Sequence, residues 1–180
     1  MPPESDQRKM FDDWFQSFTA KFKWKVDKAK PKPKCMPMLQ GTSEGAVWQI
    51  CQQGFGIVAT TDEGYFGRGM YFTSKLSYSD IYAEKSGRDG KVFLLSMVIS
   101  GNPFPVTEYP FLKDGSDSPE GYKGKACPLG YQSHSTIVDS SKYPNSYPIT
   151  STTINATSTA DELVVFESAQ ALPIFVFDVK

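Results

Sequence analysis

A chain of 180 residues with a formal net charge of −1 is long enough for one domain that buries about two-thirds of its unfolded surface. Its charge balance gives no electrostatic reason for nucleic acid as the main ligand, and no run of about eighteen apolar residues is present to span a membrane. Three cysteines and a single histidine, with no C-x-x-C, argue against a disulfide framework or a structural zinc and for a reducing compartment.

With 14 glycines, 13 prolines and 14% aromatic residues, the composition predicts a strand-rich domain with many turns. Apolar residues Met10, Phe11, Trp14, Phe15, Phe18 and Phe22 recur at helical spacing, so an amphipathic helix is predicted from Ser5 to about Phe22. The stretch KFKWKVDKAKPKPK follows, with lysine at positions 21, 23, 25, 28, 30, 32 and 34. It reads as a solvated strand or linker, or as a contact for an acidic partner. Met36–Gln40 is a short buried strand, Gly41 a turn and Ser43 a helix N-cap. Ala46, Val47, Ile50 and Cys51 then predict a helix of about three turns that stops at Gly54.

Glu63–Ser74, EGYFGRGMYFTS, crowds three glycines and four aromatics into one short segment. Glycine weakens a strand interior, so Tyr65, Phe66, Tyr71 and Phe72 read as walls for something flat. Tyr78–Lys85 predicts a short helix, and KVFLLSMVIS at Lys91–Ser100 a strand ended by Gly101-Asn102-Pro103. Residues 104–160 are rich in Ser, Thr, Pro, Tyr and Gly, and read as functional loops around one or two short strands near YQSHSTIV. ELVVFES and LPIFVFDV close the chain as two apolar strands separated by Ala169-Gln170-Ala171.

Common catalytic signatures fail. There is no G-x-x-x-x-G-K-[ST] and no H-E-x-x-H. Gly67-Arg68-Gly69 is too short for a dinucleotide fingerprint and runs into the strand-like Met70-Tyr71-Phe72.

Five segments in order do match a family pattern: LQGTS at Leu39–Ser43, GYFGRGMYFTS at Gly64–Ser74, SYSDIYA at Ser77–Ala83, SGNP at Ser100–Pro103 and ELVVFESAQALPIFVF at Glu162–Phe177. Together they resemble the catalytic domain of the poly(ADP-ribose) polymerases, the diphtheria-toxin-like ADP-ribosyltransferases, over about residues 36–178. The resemblance implies an α+β ADP-ribosyltransferase fold: two packed, mostly antiparallel sheets flanked by short helices around an NAD cleft. Residues 1–35 are then an N-terminal helix with a lysine-rich segment, and 36–180 the catalytic domain.

NAD+ is the implied co-substrate, with no metal. Gly41 matches the backbone clasp of the nicotinamide amide, Ser79 the serine on the same amide, Tyr82 the stacking ring and Tyr71 the ring opposite. Gln40, Thr42 and Phe72 complete the implied NAD+-binding set. Glu162 matches the glutamate that hydrogen-bonds the nicotinamide ribose, so Glu162 and Tyr71 are the implied catalytic pair. Gln40 stands where the pattern has histidine, giving Gln-Tyr-Glu. Tyr78 stands where chain-elongating members carry lysine, which favours transfer of one ADP-ribose.

The implied partner is a protein acceptor, with nucleic acid entering only through the lysine-rich segment. The chain is expected to be a monomer without membrane association, in the cytoplasm or nucleus, or else a secreted bacterial effector in a host cytosol. A catalytically weak or inactive NAD+/ADP-ribose-binding module is the alternative. Tyr131–His134 resembles the acceptor-side loop. Asp161 and Glu167 are expected at the periphery, and His134 and Cys51 as structural residues.

Overall fold

The computed structural model of the chain describes residues 5–23, 34–56, 64–85, 92–106, 122, 124–140 and 159–179. Most of the lysine-rich segment lies outside the described residues. The elements in chain order are α1 (Asp6–Lys23), β1 (Cys35–Thr42), α2 (Glu44–Gln53), β2 (Met70–Phe72), α3 (Leu76–Lys85), β3 (Val92–Ile99), β4 (Pro103–Pro105), β5 (Ser133–Asp139), β6 (Thr159–Val165) and β7 (Ala171–Asp178). A short 3₁₀ turn, Ser168–Gln170, joins the last two strands.

The strands form a three-stranded sheet, β1-β3-β7, and a four-stranded sheet, β2-β6-β5-β4. All pairings are antiparallel except β4 with β5. The result is the α+β architecture of two mostly antiparallel sheets. Strand prolines fall where a missing N–H does least harm. Pro37 is in β1, Pro173 in β7, and Pro103 and Pro105 in β4, and each of these strands is a sheet edge.

The continuous apolar run of β3 takes the centre of its sheet, where Phe93, Leu94, Val98 and Ile99 are buried. Strand periodicity divides the core in two. Phe72, Leu163 and Val165 join Met38, Leu94 and Val98 of the other sheet and Val47 and Ile50 of α2. On the opposite face of the four-stranded sheet, Val164, Val138 and Ala160 pack with Phe66 and Tyr78, and Tyr71 lies beside them. In α1, Phe11 packs on Ile99 and Leu172, with Trp14 and Phe15 alongside. Met10, counted in the predicted apolar stripe, is 51% exposed.

Ser43 caps α2 as expected, its side chain accepting from the Ala46 N–H, and Gly54 ends the helix at φ 82°. Three expectations need correction. Gly41 is not a turn but an interior residue of β1, opposite Phe93. Glu162 lies inside β6, opposite Thr136, and not at the start of the strand as ELVVFES implied. Ser133 and His134 open β5 as buried residues, which leaves only Tyr131 and Gln132 of the four in the loop before it.

Candidate active site

The two sheets meet where β1 runs past the end of β2. Leu39 N–H donates to the Thr73 carbonyl at 2.8 Å, and Thr73 N–H returns a bond to the Leu39 carbonyl at 3.0 Å. Leu39 thus turns its backbone groups away from β3. Backbone direction alternates along a strand, so two residues on, Gly41 also presents its N–H and C=O along this free edge. Helix α3 packs directly over it. A Cβ on Gly41 would collide with the Ser79 carbonyl and come within 2.8 Å of the Ala83 nitrogen. Glycine at 41 is therefore required by the approach of α3, not by a turn.

Between α3, β1, β2 and β6 lies a cavity of about 70 Å³, lined by Leu39, Gln40, Gly41, Tyr71, Phe72, Thr73, Tyr78, Ser79, Tyr82 and Glu162. Ordinary ligand sites run to roughly 300–1,000 Å³, so this cavity has room for only one part of a ligand of that size. Tyr71 and Glu162 point to the same face because Tyr71 pairs with Val164, two residues along β6 from Glu162.

The tyrosine ring is fixed by its own loop. The Tyr71 hydroxyl accepts from Phe66 N–H and donates to the Gly67 carbonyl, both at 2.8 Å. Gly64 and Gly67 take φ of 60° and 113° to close that loop, and a side chain at Gly64 would press on the Tyr71 hydroxyl. Two of the glycines in EGYFGRGMYFTS thus serve Tyr71.

A chain of hydroxyls ends on the carboxylate. The Tyr78 and Tyr82 hydroxyls are 3.2 Å apart, and Tyr82 donates to Glu162 Oε1 at 3.0 Å. Glu162 is only 2% exposed. Burial pushes its carboxyl up to about 7, the hydrogen bonds from Tyr82 and Tyr78 oppose the rise, and the charge of Asp161 adds to it. Burial and the neighbouring Glu162 charge also hold the Tyr82 phenol well above its ordinary range.

Three cavity-lining residues carry a buried polar atom without a partner: Gln40 Oε1, Ser79 Oγ and Glu162 Oε2. Each orphan costs on the order of 1–3 kcal/mol, and native folds tolerate few of them. Two are pure acceptors, one is a hydroxyl, and aromatic faces surround them. That donor set fits a planar ring bearing an amide next to a sugar bearing hydroxyls.

A family model for the poly(ADP-ribose) polymerase catalytic domain matches residues 14–180. The chain belongs to that family. Poly(ADP-ribose) polymerase domains use NAD+ as substrate, and ADP-ribosyl transfer is the family-level activity. No curated protein matches the chain. Among the described residues, no cluster of three or more metal-ligating side chains forms.

The structure brings Gln40, Gly41, Tyr71, Ser79, Tyr82 and Glu162 together around one cavity. Thr42 lies at the end of β1 and does not line it. Phe72 touches the cavity, but its ring is in the core, edge-on to Phe55. Strand alternation sends it to the face opposite Tyr71. Tyr65 and Phe66 pack against each other away from the cavity. His134 is buried, with Nδ1 2.6 Å from the Phe66 carbonyl.

Asp161 was underrated by sequence. Its carboxylate accepts from Ser74 N–H at 3.0 Å and Ser74 Oγ at 2.5 Å, while the Lys75 ammonium bonds the Thr159 carbonyl. These bonds tie the approach to α3 onto the start of β6, just ahead of Glu162. The available signal was a Ser-Lys pair just before a helix, but nothing in the sequence named its distant partner.

Proposed function

We propose that the protein is a mono-ADP-ribosyltransferase that moves ADP-ribose from NAD+ to a protein acceptor and releases nicotinamide. The observation that carries this reading is the set of three orphaned polar atoms facing one aromatic-walled cavity beside a buried carboxylate. The nicotinamide amide would meet the Gly41 backbone edge and Ser79 Oγ, its ring the Tyr71 and Tyr82 side chains, and the adjoining ribose Glu162. The C1″–N bond breaks with its electron pair leaving on the nicotinamide nitrogen. The acceptor side chain bonds to C1″ and gives up its proton. Positive charge builds on the ribose as the bond breaks, and ionised Glu162 steadies it.

Tyr78 supports single transfer. Its phenol is 1% exposed and points into the cavity group through Tyr82, leaving no cation there to hold an incoming ADP-ribose chain. A second reading, a binding module that turns over slowly or not at all, is favoured by Gln40, a flexible amide where the family pattern has histidine.

Nicotinamide release with and without a protein lysate, compared with Glu162→Gln, tests both. Release that needs Glu162 and labels protein with single ADP-ribose units supports the transferase. Label in ladders overturns the single-transfer half, and binding of nicotinamide without release favours the module.

A further inference from the structure

On β5, Thr136 stands directly opposite Glu162 of β6. Directly paired residues point to the same face of an antiparallel sheet, with Cβ atoms about 4.5–5.5 Å apart. Thr136 is 3% exposed, and its Oγ1 is buried without a partner, as is Glu162 Oε2. Two orphaned oxygens thus lie on the same face of one strand pair without bonding each other, one able to donate and the other in need of a donor. Thr136 does not line the cavity, so it meets no ligand there and acts through Glu162.

We propose that Thr136 is a positioning residue for Glu162: through one buried water, its hydroxyl supplies the hydrogen bond that Oε2 lacks. Tyr82 already holds Oε1 at 3.0 Å, so the two hydroxyls grip the carboxylate from α3 and from β5 and fix its plane toward the cavity. The assignment rests on the transferase reading for its catalytic consequence, but the pairing itself does not.

The titratable groups around Glu162 are Tyr78 and Tyr82 on α3, Tyr71 on β2, Asp161 beside it on β6 and His134 two residues from Thr136 on β5. The His134 Nδ1 proton is donated to the Phe66 carbonyl, which leaves Nε2 as a second acceptor on this face. A carboxylate is the stronger acceptor of the two, so the threonine proton goes to Glu162. Burial holds the His134 imidazole below its ordinary 6.5. That burial favours the neutral imidazole.

A donor to a carboxylate favours the ionised form. Thr136→Val keeps the side-chain shape and removes the donor to Glu162 Oε2. The test is a carbon-13 titration of the glutamate side-chain carboxyls, with Glu162→Gln assigning the resonance, run beside the pH profile of nicotinamide release. Thr136→Val is expected to raise the Glu162 midpoint by about one pH unit. It is expected to cut release at pH 7 about fivefold while leaving it within about twofold at pH 9, with KM unchanged. Thr136→Ser is expected to restore both. A midpoint that moves by less than about 0.2 unit overturns the proposal, whatever the activity does. A shifted midpoint in a protein that releases no nicotinamide upholds the pairing and sinks the transferase reading instead.

Discussion

Two glutamines of this chain have opposite fates. Gln170, in the 3₁₀ turn between β6 and β7, is fully buried, and all its hydrogen-bonding capacity is used. Its Oε1 accepts from Phe166 and Glu167 N–H at 3.2 and 3.0 Å, and its Nε2 donates to the Ile99 and Gln132 carbonyls at 3.0 and 3.1 Å. Gln40, on β1 at the cavity, keeps a buried Oε1 without a partner. One region closes the two sheets together and satisfies itself. The other leaves Gln40, Ser79 and Glu162 open toward the same space. A saturated polar group holds structure, whereas orphans gathered around one cavity mark the place where a ligand completes the fold.

The sharpest way to break that contrast starts at the saturated end. Gln170→Leu, close in volume, strands two N–H and two C=O groups at about 1 kcal/mol each. Thermal or denaturant unfolding is expected to show a loss of roughly 4 kcal/mol, with nicotinamide release per folded molecule unchanged. A variant that keeps its stability but loses turnover would put Gln170 in the working part of the molecule.

At the open end, Glu162→Gln is expected to lower turnover on the order of 10²–10³, roughly 3–4 kcal/mol of transition-state stabilisation. The same change should stabilise the protein at neutral and higher pH. The carboxyl rises from an ordinary 4.5 to about 7 on folding, so the fold binds its proton more tightly than the unfolded chain. The stability this lends is full below 4.5 and is lost as pH climbs through about 7. Glutamine cannot ionise. Its advantage is expected to open between pH 4.5 and 7 and to level off near 3 kcal/mol. For the wild type, turnover is expected to rise through about pH 7 as Glu162 ionises. Denaturant melts and rate profiles at pH 5, 7 and 8.5 check both arms.

The contrast also explains what was legible in the sequence. Helix α2 could be read with its cap and its stop because capping is local: Ser43 and Gly54 act within a few residues of their targets. The centre of the first sheet could be read because β3 is a continuous apolar run. The site was legible through the order of its motifs, since Tyr71, Ser79, Tyr82 and Glu162 do converge. What could not be read was pairing at a distance. Gly41 looked like a turn because the helix that requires its bare Cα comes about forty residues later in the chain. Phe72 looked like a wall because alternation tells that adjacent residues face opposite ways, but not which face is the cavity. Asp161 and Gln170 looked incidental because their partners, Ser74 and Ile99, lie far away in sequence.

Ser79→Ala sharpens the comparison at smaller cost. Ser79 is 1% exposed and its hydroxyl has no partner, so removing it takes away an orphan and is not expected to weaken the fold. Nicotinamide binding by calorimetry is expected to fall about tenfold, the worth of one hydrogen bond to a bound amide. A destabilised protein with unchanged binding would show that the hydroxyl serves the fold.

The smallest effect is expected at Gln40 itself, and it separates the two functional readings. Its side chain lines the cavity from β1 while the backbone holds the sheet register opposite Leu94. Gln40→His is therefore expected to leave the melting temperature almost unchanged. Glutamine reaches the cavity through three rotatable bonds and histidine through two, so histidine loses less freedom when a sugar hydroxyl fixes it. KM for NAD+ is expected to fall several-fold, about 1 kcal/mol, with kcat little altered, because Glu162 and Tyr82 keep their geometry. If histidine instead raises kcat from nothing, Gln40 is what holds this chain to binding without turnover. If neither constant moves, the ligand satisfies Gln40 Oε1 as well as it would an imidazole, and that orphan carries no specificity.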